Sequence, residues 1–299
     1  VLGGLPLDTG TYPLTVTATD KNNCQGSVSF DLVINCPVIT VTPASVSSGT
    51  AGVAYADVTF NQTGGVGTIA WSLAGALPTG MGFDGGVLSG TPLDTGTYPL
   101  TVTATDQNNC QGNVSFDLVI NCPAITVTPA TAPAGTAGVA YPDVTFSQTG
   151  GVGTITWSLG GALPTGMSFN AGVLGGLPLD TGTYPLTVTA TDQNNCQGSV
   201  SFDLVINCPA ITITPASVPS GTAGVPYADV PFGQTGGVGA ITWSLAGALP
   251  TGMGFAGGVL SGTPLDTGTF PLTVTAIDQN SCLGSVSFDL VIDCPTITL

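Results

Sequence analysis

The residues best equipped for covalent chemistry in this sequence are eight cysteines, which fall into two interleaved series. Cys24, Cys110, Cys196 and Cys282 stand 86 positions apart, and so do Cys36, Cys122, Cys208 and Cys294. Neighbours from the two series, such as Cys110 and Cys122, enclose GNVSFDLVIN, where Val114, Phe116, Leu118 and Ile120 alternate with Ser115, Asp117, Val119 and Asn121. That period of two predicts a half-buried β-strand. At about 3.3 Å per residue the two sulfurs lie roughly 40 Å apart. A disulfide needs Cα atoms within about 7 Å, so these neighbours cannot bond to each other.

Carboxylates are the second chemical resource. All 17 acidic residues are aspartate, against a single cation, Lys21, and no histidine. LDTGT at 93–97 matches the active-site phrase of an aspartic protease, which needs two such carboxylates sharing a proton across a cleft. Here the phrase returns once per 86 residues, at Asp8, Asp94, Asp180 and Asp266, which reads as a turn. GGVG at 64–67 has no lysine and no following helix, so it reads as a strand connection and not as a phosphate cradle. The inventory excludes whole classes of function. One lysine cannot neutralise nucleic-acid phosphates. Without histidine there is no triad base, no histidine zinc site and no base poised near neutral pH. No enzyme and no cofactor are expected, and no apolar run is long enough to span a membrane.

The elements that must position these groups come from the repeat. Trp71, Trp157 and Trp243 keep the same 86-residue interval as the cysteines. A unit of that size is long for a solenoid and right for a small β domain. The sequence divides into the C-terminal part of a repeat (1–36), three whole repeats (37–122, 123–208, 209–294) and the first strand of another (295–299). Within 37–122 the apolar pattern predicts strands at Ile39–Val41, around Val58 and Phe60, over Ile69–Leu73, around Phe83, at Val87–Leu88, over Tyr98–Thr105, and finally Val114–Ile120. About seven short strands with regular turn signals and one central tryptophan indicate an all-β immunoglobulin-like sandwich, with Trp71, Trp157 and Trp243 in its core.

PASVSSGTAGVAY, TGGVGTIAWSLAGALPTGM, GVLSGTPLDTGTYPLTVTATD and the closing NCP resemble the immunoglobulin-like (cadherin/dystroglycan-like) tandem repeats of large bacterial cell-surface proteins. The resemblance covers nearly every residue of each unit. It implies β-sandwiches in a secreted or cell-surface protein and brings no catalytic residues. Cadherin-like domains often bind calcium between units, which makes Asp94, before the sixth strand, and Asp192, before Cys196 of the next unit, weak candidate ligands. Calcium wants six or more oxygens, and no DxD or DxNDN cluster supplies them.

In a head-to-tail array of such sandwiches, the loop before the last strand lies at the incoming pole and the end of that strand at the outgoing pole. Cys36 is then expected to meet Cys110, Cys122 to meet Cys196 and Cys208 to meet Cys282, with Cys24 and Cys294 pairing beyond residues 1–299. Free thiols and bonds between neighbouring chains are the alternatives. VINCPAITV at 119–127 passes from one unit to the next with no Gly/Ser linker, which suits a stiff array. Cysteines in every copy suit an oxidising, extracytoplasmic setting. The expected role is the repeat region of an extracellular filament, stalk or surface fibre, with neighbouring repeats and other copies of the same protein as partners. The alternatives are the spacer of an adhesin or, if the tryptophans are exposed, a carbohydrate-binding module.

Overall fold

A computed structural model of the chain describes residues 1–296, and every regular element among them is a strand. The strand expected at 295–299 lies largely outside the described residues. Residues Val1–Ile125, with Gly150–Ile155 and Thr191–Gln197, form one compact unit, and the remaining described residues form a second.

The first unit begins with a hairpin, β1 (Gly10–Thr19) and β2 (Gln25–Ile34), paired antiparallel in unbroken register. Residues 37–122 then give β3 (Thr40–Thr42), β4 (Gly49–Thr50), β5 (Tyr55–Thr59), β6 (Asn61–Thr63), β7 (Ala70–Ala74), β8 (Met81–Asp84), β9 (Val87–Gly90), β10 (Gly96–Thr105) and β11 (Gln111–Asn121). One sheet runs β4-β11-β10-β7, the facing sheet runs β5-β9-β8, and β3 pairs with β6. The same orders recur, 86 and 172 residues on, in the later repeats.

Nine segments stand where about seven strands were expected. The second strand divides at Phe60. β5 pairs with β9, while β6 turns away to pair with β3. Phe60 is buried at the crossing, and its N–H is satisfied by the carbonyl of Gly86. The extra piece, β4, adds two residues in parallel to the end of β11.

Alternation does the packing. Leu100, Val102 and Ala104 of β10 and Leu118 and Ile120 of β11 are buried, while Pro99 and Asp117 face out. Phe60 stacks on Phe116 with ring centres 5.5 Å apart and meets Phe83 edge-on at 6.1 Å. Trp71, Trp157 and Trp243 are half-buried, because each stands on a strand at the edge of its sheet. Trp71 packs against the core cluster. Its indole leaves no room for a side chain at Gly86, where a Cβ would sit 2.9 Å from Nε1 and φ is +84°.

Candidate functional site at the joint between repeats

The groups singled out for chemistry converge on the turn between β10 and β11. In DQNNC, residues 106–110, the buried Asp106 accepts N–H bonds from Asn108 (2.8 Å) and Cys110 (2.9 Å) on one carboxylate oxygen. Its other oxygen accepts from Val66 N–H in the GGVG loop (2.9 Å), whose carbonyl in turn accepts from Gln107 N–H. Asn109 takes a left-handed conformation, φ 61°, which asparagine tolerates better than most residues. Two loops are thereby fused into one rigid end, with Cys110 held at its tip. Asp192 and Asp278 repeat the arrangement with Val152 and Val238.

Three disulfides issue from these tips. Cys36 bonds Cys110, Cys122 bonds Cys196, and Cys208 bonds Cys282, with Cα atoms 5.5–5.6 Å apart and a sequence separation of 74. The cysteine at the turn is buried in each, while the one following the long strand is exposed. Cys24 and Cys294 are free and exposed.

A second tie accompanies every bridge. Nδ2 of Asn194 donates to the carbonyl of Leu93 at 2.7 Å, Asn108 does the same to Leu7, and Asn280 to Leu179. The acceptor belongs to the LDTGT phrase. Asp94 accepts from Thr79 N–H (3.0 Å), and Leu93 N–H donates to the Thr79 carbonyl (2.9 Å), so the turn holds the Leu93 carbonyl in place. Apolar contact completes the joint. Val152 is buried with the core of 37–122, and a Cβ on Gly52 would lie 3.1 Å from its Cγ2. Ala51 and Ala137 are buried likewise, whereas Ala223, with no following repeat described, is only half-buried.

Both calcium candidates accept hydrogen bonds from neighbouring backbone. Both oxygens of Asp192 are taken by three backbone N–H groups, and Asp94 is engaged with Thr79. Among the described residues no three His, Cys, Asp or Glu side chains gather to hold a metal. The asparagine tie was absent from the sequence reading. Its signal is that the first asparagine of NNC persists at 22, 108, 194 and 280, while the second becomes Ser281 in the last copy.

The joint also sets a pH response. Burial pushes the Asp106 carboxyl up, but the N–H bonds from Val66, Cys110 and Asn108 outweigh it and hold the group below the ordinary aspartate value. Asp94, Asp180 and Asp266 are also lowered, first by the hydroxyl of Thr79, Thr165 or Thr251 and then by its backbone N–H. A lowered carboxyl binds protons more weakly folded than unfolded. Its stabilisation is complete above the unfolded value of about 3.9 and is lost as pH falls through the folded value. The thermal midpoint should therefore hold from neutrality to about pH 5 and drop between about pH 4 and pH 2. A midpoint rising across that window, measured by circular dichroism, would contradict the assignment.

A family model described as "Putative Ig domain" (He_PIG) matches residues 37–121, 123–207 and 209–293. Among curated proteins, the chain is similar to the "Serine-rich adhesin for platelets" of Staphylococcus aureus strain MRSA252. The two are 26% identical over 198 residues, covering 64% of this chain and 14% of that protein. The same-named protein of strain MSSA476 matches at 26% identity over 9% of its length. The chain thus spans only a small part of these relatives. Among solved structures, mouse cadherin-23 EC22-24 is 15% identical, covering 88% of this chain and all of that one, with a TM-score of 0.29. Drosophila N-cadherin EC1-4 is 14% identical, covering 98% and 85%, also with a TM-score of 0.29.

Proposed function

The chain belongs to the He_PIG family of Ig domains, and from that premise we propose that it is the structural repeat region of an extracellular filament, stalk or surface fibre, stiffened where its repeats join. In this reading the repeats divide at 36/37, 122/123, 208/209 and 294/295, and neighbouring repeats and other copies of the protein are its partners. The observation that carries it is the joint, where a disulfide, an asparagine–carbonyl bond and a buried valine recur together. A linkerless connection with three ties resists bending in a way that a Gly/Ser hinge does not. We assign no catalytic step to the chain. Asp94 and Asp106 stand singly in separate turns, and Asp57, Asp84 and Asp117 face outward. The exposed free Cys24 and Cys294 would pair with further repeats, and bridges of this kind need an oxidising compartment.

A second reading, the spacer of an adhesin, is favoured by the name of the staphylococcal relatives. The carbohydrate-binding alternative needs an open aromatic platform, and Trp71 is instead half-buried against Gly86 and the core. Electron microscopy of native material separates the first two. Regular fibres with lateral contacts support the filament, and single thin strands on cells support the spacer. Isolated compact particles, with no fibre and no cell attachment, would overturn both.

A further inference from the structure

The bridges and the long strands share one property that stiffness does not include. We propose that the chain is a tension-bearing thread with almost no slack, its load carried on a continuous covalent path of disulfides and β-strands. The path starts at Cys24 and runs along β2 to Cys36, then crosses the first bridge to Cys110. It follows β11 to Cys122 and crosses to Cys196. It continues along Gln197–Asn207 to Cys208, crosses to Cys282, and follows Leu283–Asp293 to Cys294. Residues 37–109, 123–195 and 209–281 hang off this path as closed loops. Tension applied between Cys24 and Cys294 never passes through their backbone.

Simple lengths show how strong the effect is. The path contains four stretches of 12 residue steps, which reach about 170 Å when fully extended. Each bridge adds a Cα–Cα distance of 5.5 or 5.6 Å. The limit is therefore about 180 to 190 Å. Without the bridges, the same two cysteines are 270 steps apart and reach about 950 Å. The stretches on the path are already strands, close to their greatest extension, so unfolding a repeat lengthens its stretch by less than about a tenth.

Placement of the sulfurs matters more than their number. A bond joining Cys110 to Cys122 would remove only the strand between them and leave most of the repeat under load. The observed pairing does the reverse: it keeps the strand under load and removes the rest. Ordinary sandwiches lengthen severalfold once they unfold under tension, but here the repeats stay out of the force whether folded or not. This property follows from covalent connectivity alone and holds wherever the bridges stay oxidised.

The test uses the full chain, unreduced, with maleimide handles on the two free and exposed thiols, Cys24 and Cys294. Single-molecule stretching should show a chain that stops at about 180 to 190 Å and gives no unfolding steps. Added reductant should release three increments of about 250 Å each. The double variant Cys122→Ser/Cys196→Ala should release one such increment without reductant. An unreduced native chain that lengthens by increments of that size would overturn the proposal. A variant that misfolds does not blur the result, because the length limit is set by covalent bonds. Microscopy that found no fibre would sink the filament reading and leave this result standing.

Discussion

Replacing Cys122 by serine and Cys196 by alanine should lower the unfolding free energy of the repeat at 123–208 by about 4 kcal/mol and its thermal midpoint by about 20 °C. The bridge closes an interval of 74 residues, so in the denatured chain it forbids the many conformations in which the two ends are apart. The substitutions suit the burial of each sulfur. Cys122 is exposed and accepts a hydroxyl, while Cys196 is 2% exposed and would strand a serine oxygen without a partner. Each repeat carries one tryptophan, so Trp71→Phe with Trp243→Phe leaves Trp157 to report on the weakened repeat alone. A loss below about 1 kcal/mol would mean that the bridge barely constrains the unfolded chain.

What could be read from residues alone follows from where the physical signal sits. β10 and β11 were legible because each has one face in the core and one in water, which writes a period of two into the sequence. The division at Phe60 was not, since ADVTFN at 56–61 alternates straight through it. The crossing depends on β3 and on the Gly86 carbonyl, both remote in sequence. β4 is two residues long and has no period to detect. The tryptophans are expected in the core as the central residue of the third strand; Trp71 and Trp243 pack against it but stay half-buried, because an edge strand covers a ring on one side only. At the joint, the regular cysteine interval made covalent ties conspicuous. The Asn194 tie was hidden, because its acceptor is a backbone carbonyl 101 residues away and carbonyls have no sequence signature. Asp192 is a weak calcium candidate from its place before Cys196, whereas its environment is a set of backbone donors, of which the Val152 N–H comes from a loop 40 residues away that leaves no mark near it in the sequence.

That environment makes Asp192→Ala the most damaging single change expected outside the hydrophobic core and the bridges, at about 3 kcal/mol or more. Asp192 is 4% exposed, and its carboxylate is the acceptor for the N–H groups of Val152, Asn194 and Cys196. Truncation leaves three donors with no partner in a place water enters poorly, and an unmet buried donor costs about 1–3 kcal/mol. Asp192→Asn is instructive beside it. One amide oxygen still serves Asn194 and Cys196, but an NH2 group then faces the Val152 N–H, donor against donor, so roughly half of the loss should remain. Both variants loosen the turn that presents Cys196 to Cys122 and Asn194 to Leu93. Reoxidation of the reduced chain should therefore form the Cys122–Cys196 bridge more slowly in Asp192→Ala than in the native chain, while Cys208–Cys282 forms at its native rate. Peptide mapping after timed alkylation resolves the two bridges, provided that an aspartate-directed protease replaces trypsin, since the chain has a single lysine and no arginine. Equal slowing of both bridges would mean that Asp192 acts on general stability and not through the turn it holds.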